Sequence, residues 1–240
     1  MKRDIWRAIS VVIQTLGLRL AVAGITSLAS ITTSSGQPMV MAHHLTYDIV
    51  YDYSQMQPAT VLWTLQASDF AGKNLAKPKY FKQDRFLPPP RVKNSAFSFS
   101  GFQRGHLCPS GDRDSRREWF KDTFYTSNIV PMTAEVNSGA WKETESFCRQ
   151  LATDGHRLKI AAGPVWYQTA PASNTNSRPH VPDTLYKMAV CFIHQGEVWF
   201  WLVPNDHQPR REIDCRYDPS NLATIIKPEI FNYIKIWIRK

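Results

Sequence analysis

Three short segments in the middle of the chain carry the side chains that could do chemistry. The first places His106 two residues after Arg104, the second is built around Asn128, and the third runs from Asn137 to Glu145. Histidine can act as a base near neutral pH, an asparagine oxygen suits Mg²⁺, and arginine pairs with phosphate. Together they predict phosphodiester hydrolysis, which needs a base for water, a cation for the phosphate oxygens and positive groups to position the polyanion.

Each of these side chains also has an ordinary structural alternative. A single histidine is more often a hydrogen-bonded structural residue, Asn137 would make a good helix N-cap, and Glu145 could pair with Arg149 one turn later. In a straight helix Glu145 would lie about 12 Å along the axis from Asn137, too far to share the first coordination shell of a metal. Gly105 permits close backbone approach beside His106 and favours a functional role there.

The charge of the chain points towards a polyanion. The 240 residues carry a net charge of +9, and residues 71–121 hold 12 Lys and Arg against 4 Asp and Glu, a net charge of +8. A basic surface beside a candidate site is typical of nucleic-acid binding, and a solvated basic face is the alternative. The motifs of zinc deaminases, serine hydrolases and P-loop proteins are all missing from the sequence.

The cysteines argue against a structural zinc site, because no two of them form a C-x-x-C pair. Their even number is compatible with one or two disulfides and equally with buried free thiols. The four residues are Cys108, Cys148, Cys191 and Cys215.

Residues 1–42 are interpreted as a leader and a linker ahead of one domain spanning residues 43–240. The charged start through Arg19 and the short apolar run after it suit a secretory signal, which predicts a secreted or periplasmic protein. The alternative is a disordered or amphipathic leader, including a transit peptide to an organelle, or an intracellular protein. Residues 31–42 are rich in Ser, Thr, Gly and Pro and predict a linker. No apolar run reaches the roughly 18–20 residues of a spanning helix, so no stable membrane span is predicted.

The pattern of apolar residues predicts a single α+β domain. Residues 137–152 repeat apolar side chains at helical spacing and are capped by Asn137 or Ser138. Residues 71–95 are basic, contain three consecutive prolines and predict an ordered but irregular loop. The tail from residue 225 to 238 is not assigned. Strands are predicted at residues 47–53, 61–65, 158–163, 186–193 and 197–203.

At these motifs the sequence resembles the DNA/RNA non-specific endonuclease family, the ββα-metal (His-Me finger) nucleases that include mitochondrial endonuclease G. The resemblance covers roughly residues 45–205. It implies an α+β fold with a central antiparallel sheet and flanking helices. It rests on Arg104-Gly105-His106 with Pro109 and Asp112-Arg113, on Ser127-Asn128-Ile129-Val130-Pro131, and on Asn137-x-Gly139-x-Trp141-x-x-x-Glu145.

The resemblance also implies roles for single residues. His106 would be the general base that activates water, Asn137 the sole direct protein ligand of a hydrated Mg²⁺, and Glu145 the holder of a metal-bound water. Mn²⁺ or another divalent cation could replace Mg²⁺. DNA and RNA would both be substrates, and the products would carry 5′-phosphates. The supporting roles would fall to Arg104 and Arg149 at the phosphate, Asn128 as a hydrogen-bonding support, and Lys77 and Arg113 as substrate contacts.

Two positions depart from the family's pattern. The family usually has Asp-Arg-Gly-His, and this chain has Gln103 at the first position. Because an amide carries no negative charge, we predict weaker activity or an altered metal preference, and we predict that Gln103→Asp raises activity. The family also places an arginine before an aromatic-x-x-Asp segment. Phe81-x-x-Asp84 matches that segment, but Lys77 stands at the arginine position and lacks its bidentate fork.

The leading hypothesis is an extracytoplasmic nuclease that acts on both DNA and RNA, and a homodimer is compatible with it. The rival is a nucleic-acid-binding protein with a degenerate nuclease site. The presence of His106, Asn137 and Glu145 together favours the enzyme. A nuclease toxin with a dedicated inhibitor would need a delivery domain or an acidic partner, for which the sequence gives no sign.

Overall fold

A seven-stranded antiparallel sheet forms the centre of the molecule, and a separate antiparallel pair of strands lies beside it. The computed structural model describes residues 30–32, 38–72, 75–98, 101–167, 178–193 and 196–239. Within these residues the strands are β1 Ser30–Thr32, β2 Pro38–His43, β3 Asp48–Asp52, β4 Gln57–Leu65, β5 Gln103–His106, β6 Ile129–Met132, β7 Leu158–Val165, β8 Thr184–Cys191 and β9 Val198–Pro204. The order in the large sheet is β1-β2-β3-β4-β7-β8-β9, and β5 pairs with β6.

The helices lie against both faces of the large sheet. Within the described residues they are α1 Arg117–Asp122, α2 Ala134–Ser138, α3 Ala140–Thr153, α4 Leu222–Ile225 and α5 Pro228–Arg239. On one face Trp63 belongs to the same apolar cluster as Trp141 of α3. On the other face Leu62 belongs to a second cluster with Ile230 and Ile234 of α5. The central strands are therefore buried on both faces, and each fully buried large apolar side chain stabilises the fold by about 1.5–3 kcal/mol.

The predicted α+β class with a central antiparallel sheet is confirmed. All five predicted strands are present, as β3, β4, β7, β8 and β9, with bounds shifted by a few residues. Strands β8 and β9 pair antiparallel, with Met188 opposite Phe200. Residues 194–195 of the predicted hairpin turn lie outside the described residues. The unassigned tail is mostly the amphipathic helix α5.

The predicted helix over residues 137–152 is wrong at its start. The structure has two helices, because the chain breaks at Gly139, where φ is −104° and ψ is −118°. A Cβ atom at this position would overlap the backbone oxygen of Glu135. The first helix is capped by Thr133, whose hydroxyl accepts a hydrogen bond from the Val136 amide. Asn137 is therefore inside α2 and is not an N-cap, which frees its side chain for another role.

The predicted linker over residues 31–42 is wrong at both of its ends. Strand β2 pairs with β3 through five residue pairs, with Met41 opposite Val50, and it also pairs with β1. The folded part of the chain therefore begins earlier than His43, the predicted start of the domain. The predicted leader over residues 1–29 lies outside the described residues. Every helix in the described part is too short or too polar to cross a membrane.

The cysteines support the buried-thiol alternative. Cys108, Cys148 and Cys215 are free and buried, and Cys191 is buried in β8. Burial raises the pKa of both Cys108 and Cys148 to about 12, so these thiols stay protonated and unreactive at physiological pH.

Candidate active site

The three chemical segments of the sequence meet in one strand-strand-helix unit. His106 ends β5 and lies opposite Ile129, the first residue of β6. The helix α2, which carries Asn137, begins directly after β6 and is followed by α3 with Glu145. Gly105 is required in β5, because a Cβ atom there would overlap the Met132 side chain of β6. The close pairing of β5 with β6 thus fixes the position of His106 relative to the helices.

His106 is enclosed by aromatic rings. Its ring centroid lies 5.4 Å from that of Phe81 and 4.9 Å from that of Phe124. The Trp141 indole N–H donates to the backbone oxygen of His106 at 3.0 Å. The Nε2 atom is shielded from water and has no hydrogen-bond partner among the described residues. A buried polar atom without a partner is costly, and His106 as a whole is only half-buried, so the residue remains open to a ligand or a reacting water.

Burial, and to a lesser extent the charge of nearby Lys77, lowers the pKa of His106 to about 3. The imidazole is therefore neutral at physiological pH and has a nitrogen able to accept a proton. Lys77 is itself exposed. Its position near His106 is suited to the predicted substrate contact, since an exposed ammonium there can meet a phosphate.

Asn137 is oriented by the residue that departs from the family's pattern. Its amide nitrogen donates to the Oε1 atom of Gln103 at 2.7 Å. With the nitrogen engaged, the Oδ1 atom of Asn137 is left as a hard-oxygen donor, which fits Mg²⁺ with a mostly water-filled shell. Gln103 supplies the hydrogen-bond acceptor that an aspartate would supply, without its charge. Among the described residues, no group of three or more His, Cys, Asp or Glu side chains could hold a metal ion.

Glu145 lies within a cluster of four charged side chains. Arg149 is 4.0 Å from Glu145 and 2.8 Å from Asp112, and Asp112 also accepts from the Trp63 indole at 3.0 Å. Burial raises the pKa of Glu145 to about 7, although the charge of Lys187 opposes the shift. The Glu145 side chain is still 16% exposed and that of Arg149 is 24% exposed. Both can therefore be reached by a substrate, as their predicted roles require.

Arg104 is partly engaged by the protein itself. Its Nη2 atom donates to the Ser98 hydroxyl at 3.1 Å and more weakly to the Asn94 carbonyl at 3.4 Å. Its Nε atom is buried without a partner among the described residues. The guanidinium thus retains donors for the predicted phosphate contact, which stays a prediction.

Asn128 acts on the site through the backbone. It is fully buried, accepts a hydrogen bond from the Cys108 amide at 2.9 Å, and donates to the carbonyls of Cys108 and Thr123. Cys108 lies two residues after His106. These bonds suit the predicted supporting role and leave no surface of Asn128 for the substrate.

The predicted substrate contact of Arg113 is contradicted by its burial. The side chain is 1% exposed, and its nitrogens donate to the backbone oxygens of Asp112, Thr46 and Thr64. Asp69 lies 3.5 Å away as a charge partner. Arg113 therefore joins three chain segments from inside the fold, where a polyanion cannot reach it.

The loop that carries Lys77 and Phe81 is fastened by a buried histidine. The His44 side chain is inaccessible to solvent. It bonds to Asp84 at 3.0 Å and Asp122 at 3.5 Å, and it stacks on Tyr47 at 4.4 Å. Ser127 donates to Asp84 at 2.5 Å. The motif residue Asp84 therefore ties the loop to the segment that precedes β6.

Two members of the site were missed by the sequence prediction. Asp112 was noted only as part of a motif, and Lys187 only as a position within the strand predicted at residues 186–193. A lysine within the apolar strand β8 was the available signal, because lysine is almost never fully buried without a partner. No comparable signal marked Asp112 as the ion-pair partner of Arg149.

A family model described as DNA/RNA non-specific endonuclease matches residues 27–222. A nuclease from Nostoc sp. is 36% identical over 152 residues, which are 62% of this chain and 54% of that protein. The mitochondrial nuclease EXOG of Xenopus laevis is 31% identical over 187 residues, 69% of this chain and 51% of that protein. Mitochondrial endonuclease G of Homo sapiens is 32% identical over 126 residues, 48% of this chain and 42% of that protein. The chain thus spans about half the length of these curated relatives.

A solved structure of an EndoG/EndoGI complex matches with a TM-score of 0.66 at 23% identity, covering 78% of this chain and 83% of that one. At this identity the likeness concerns the fold. It confirms the predicted ββα-metal fold class.

Proposed function

The chain belongs to the DNA/RNA non-specific endonuclease family, and from this we propose that it is a divalent-metal-dependent endonuclease that hydrolyses phosphodiester bonds in DNA and RNA. The proposal is carried chiefly by the neutral His106 ring, with its buried and unpartnered Nε2 atom, in the same strand-strand-helix unit as Asn137. Nuclease names among the relatives support the reaction class.

In this proposal Asn137 holds Mg²⁺ through its Oδ1 atom. When bound, the cation stabilises negative charge on the phosphate oxygens. Gln103 orients the Asn137 amide from the other side. Glu145, partly exposed on α3, accepts a hydrogen bond from a water molecule in the site. A single amide ligand suits Mg²⁺, which keeps most of its waters, and Mn²⁺ is the natural substitute.

His106 accepts the proton of the attacking water at an imidazole nitrogen. In the substrate-free protein its pKa of about 3 makes it a weak base. An anionic phosphate beside the ring raises that pKa, because a neighbouring negative charge favours the protonated form. The positive charge of Lys77 opposes this rise in the pKa of His106, but it also attracts the phosphate. The base is thus strongest when the substrate is present.

The positive groups Lys77, Arg104 and Arg149 position the phosphate. Arg149 is oriented by Asp112 at 2.8 Å and keeps its outer face exposed. The net charge of +8 over residues 71–121 supports electrostatic attraction of DNA and RNA regardless of sequence.

A nucleic-acid-binding protein with a degenerate site is the second candidate, because Gln103 lacks the family's negative charge. The Gln103–Asn137 hydrogen bond favours the enzyme, since the Gln103 side chain orients Asn137 even without that charge.

Cellular location and oligomeric state belong to the proposal as well. Export and organellar import both depend on residues 1–29, which lie outside the described residues. Mitochondrial nucleases among the relatives favour the organellar alternative over secretion. A fluorescent fusion of the full chain distinguishes the two by where it accumulates. A homodimer stays a prediction that sedimentation tests.

The proposed reaction is tested by its metal dependence and its product ends. Supercoiled plasmid and a single RNA transcript are incubated with the purified protein and either Mg²⁺ or a chelator. We expect cleavage of both with Mg²⁺ alone, and DNA fragments that a ligase joins without prior phosphorylation, because each carries a 5′-phosphate. Cleavage that persists with chelator, or fragments that need a kinase before ligation, would contradict the proposed chemistry.

A further inference from the structure

The strand β8 carries a lysine in the interior of the protein. Lys187 is 1% exposed, and its neighbours Tyr186 and Met188 are also buried. Placing an ammonium group inside a protein is strongly unfavourable unless nearby groups compensate for the lost water. The cost requires a counterbalancing interaction, and within the described residues the polar contacts of the Lys187 side chain lie on α3, towards the candidate active site.

Lys187 contacts the first two turns of α3. Its Nζ atom donates to the Thr144 hydroxyl at 2.8 Å and lies 4.0 Å from the centroid of the Trp141 ring. Thr144 in turn donates to the backbone oxygen of Trp141 at 2.7 Å. Trp141 donates from its indole to the backbone oxygen of His106. A continuous set of contacts therefore runs from the sheet through α3 to the His106 backbone.

The charge of Lys187 also matters for Glu145, which follows Thr144 in α3. The charged groups that act on Glu145 are Lys187, Asp112, Arg149 and Lys142. Arg149 is paired with Asp112 at 2.8 Å, so the two charges largely cancel. Lys142 is exposed, and water screens its charge. Lys187 is the buried cation left to balance the carboxylate of Glu145.

We propose that Lys187 is a positioning residue for the nuclease reaction: it holds Trp141 against the His106 carbonyl and favours the ionised form of Glu145. This inference rests on the proposed function for its effect on turnover. Its electrostatic part concerns the protein alone and is measurable without substrate or metal.

The electrostatic part is tested by the pH at which Glu145 titrates in the metal-free protein. Lys187→Met keeps the length of the side chain and removes its charge. We expect the Glu145 titration, followed by ¹³C NMR of labelled glutamate and assigned with Glu145→Gln, to move upward by about one pH unit. Lys142→Met is the matched control and should leave the titration in place. An unchanged titration in Lys187→Met overturns the inference.

The positioning part is tested by the pH profile of plasmid cleavage. In Lys187→Met we expect the acidic limb of the kcat/KM profile to move to higher pH, together with the Glu145 titration. We also expect kcat to fall about tenfold while KM stays nearly unchanged. Lys187→Arg, which keeps the charge, should retain the wild-type limb. A uniform loss of activity with no movement of the limb would mean a purely structural lysine and would overturn the inference.

Failure of the proposed function and failure of Lys187→Met to fold can each be distinguished from failure of this inference. If the wild-type protein does not cleave nucleic acid, the proposed function fails while the NMR titration still decides the electrostatic part. If Lys187→Met does not fold, Thr144→Val removes the hydroxyl that anchors the ammonium at the same side-chain size. It should shift the Glu145 titration in the same direction, and the absence of any shift overturns the inference.

Discussion

Replacing Gln103 by glutamate tests how this chain orients its metal ligand. Gln103 is exposed on β5, and its Oε1 atom lies 2.7 Å from the Asn137 amide nitrogen. Glutamate has the same length, so an oxygen can occupy the same position and now carry negative charge. The hydrogen bond then becomes charge-assisted, which roughly doubles its strength.

The added charge also attracts the cation directly. A unit charge about 5 Å from a dication in water contributes about 1.7 kcal/mol, and salt reduces this figure. We therefore expect Gln103→Glu to bind Mg²⁺ or Mn²⁺ about tenfold more tightly. Gln103→Leu removes the acceptor, worth about 1 kcal/mol, and should bind about fivefold more weakly. Gln103→Asp carries the charge on a side chain one methylene shorter, so its gain in affinity and activity should be smaller.

Isothermal titration of Mn²⁺ into the nucleic-acid-free protein measures these affinities without relying on activity. Asn137→Ala is the control, because without the proposed ligand neither Gln103 nor a glutamate at this position should support measurable Mn²⁺ binding. Equal or weaker binding by Gln103→Glu than by the wild-type protein would refute the reasoning.

Three further changes test the framework around the site. Gly105→Ala should destabilise the protein by about 1–3 kcal/mol, because the added methyl group overlaps Met132. In urea unfolding, adding Met132→Ala to the same chain should recover part of the lost stability. Losses of stability that simply add up in the double variant would contradict the overlap. Arg113→Met should lower the thermal midpoint by about 10 °C, because it leaves buried carbonyls and a carboxylate without their partner. Arg117→Met on the surface is the control, and an equal effect there would refute the structural role. Although burial opposes the shift, two carboxylates raise the pKa of His44 above 6.5. The stabilisation that the protonated His44 contributes is therefore complete below pH 6.5 and is lost as pH rises through the raised pKa. The difference in unfolding free energy between wild type and His44→Gln should shrink from pH 6 to pH 9, and a difference that grows would contradict the raised pKa.

The strands could be predicted because their apolar patterns are local. The pairing of strands that are distant in the sequence could not be predicted in this way. Residues 38–42 look like part of a linker by composition, yet they lie in β2 because β3 offers a partner. The start of the helix was missed because Asn137 and Thr133 are both good caps, and only the break at Gly139 decides between them.

The candidate site was predictable as a set of residue types and only partly as a geometry. His106, Asn137 and Glu145 lie on β5, α2 and α3 of one unit, in the order in which they occur in the sequence. The burial of Arg113 depends on carbonyls of residues 46 and 64, far away in the chain. The place of Lys187 beside α3 likewise depends on how β8 packs, which no local pattern encodes.

The most direct measurement compares nucleic-acid cleavage and binding in the wild-type protein and His106→Ala with Mg²⁺ present. If His106 is the base, the wild-type protein nicks supercoiled plasmid and degrades RNA. The variant should bind both with similar affinity and cleave them at least a hundredfold more slowly. Binding without cleavage by the wild-type protein, or full cleavage by His106→Ala, would contradict a nuclease that works through this histidine.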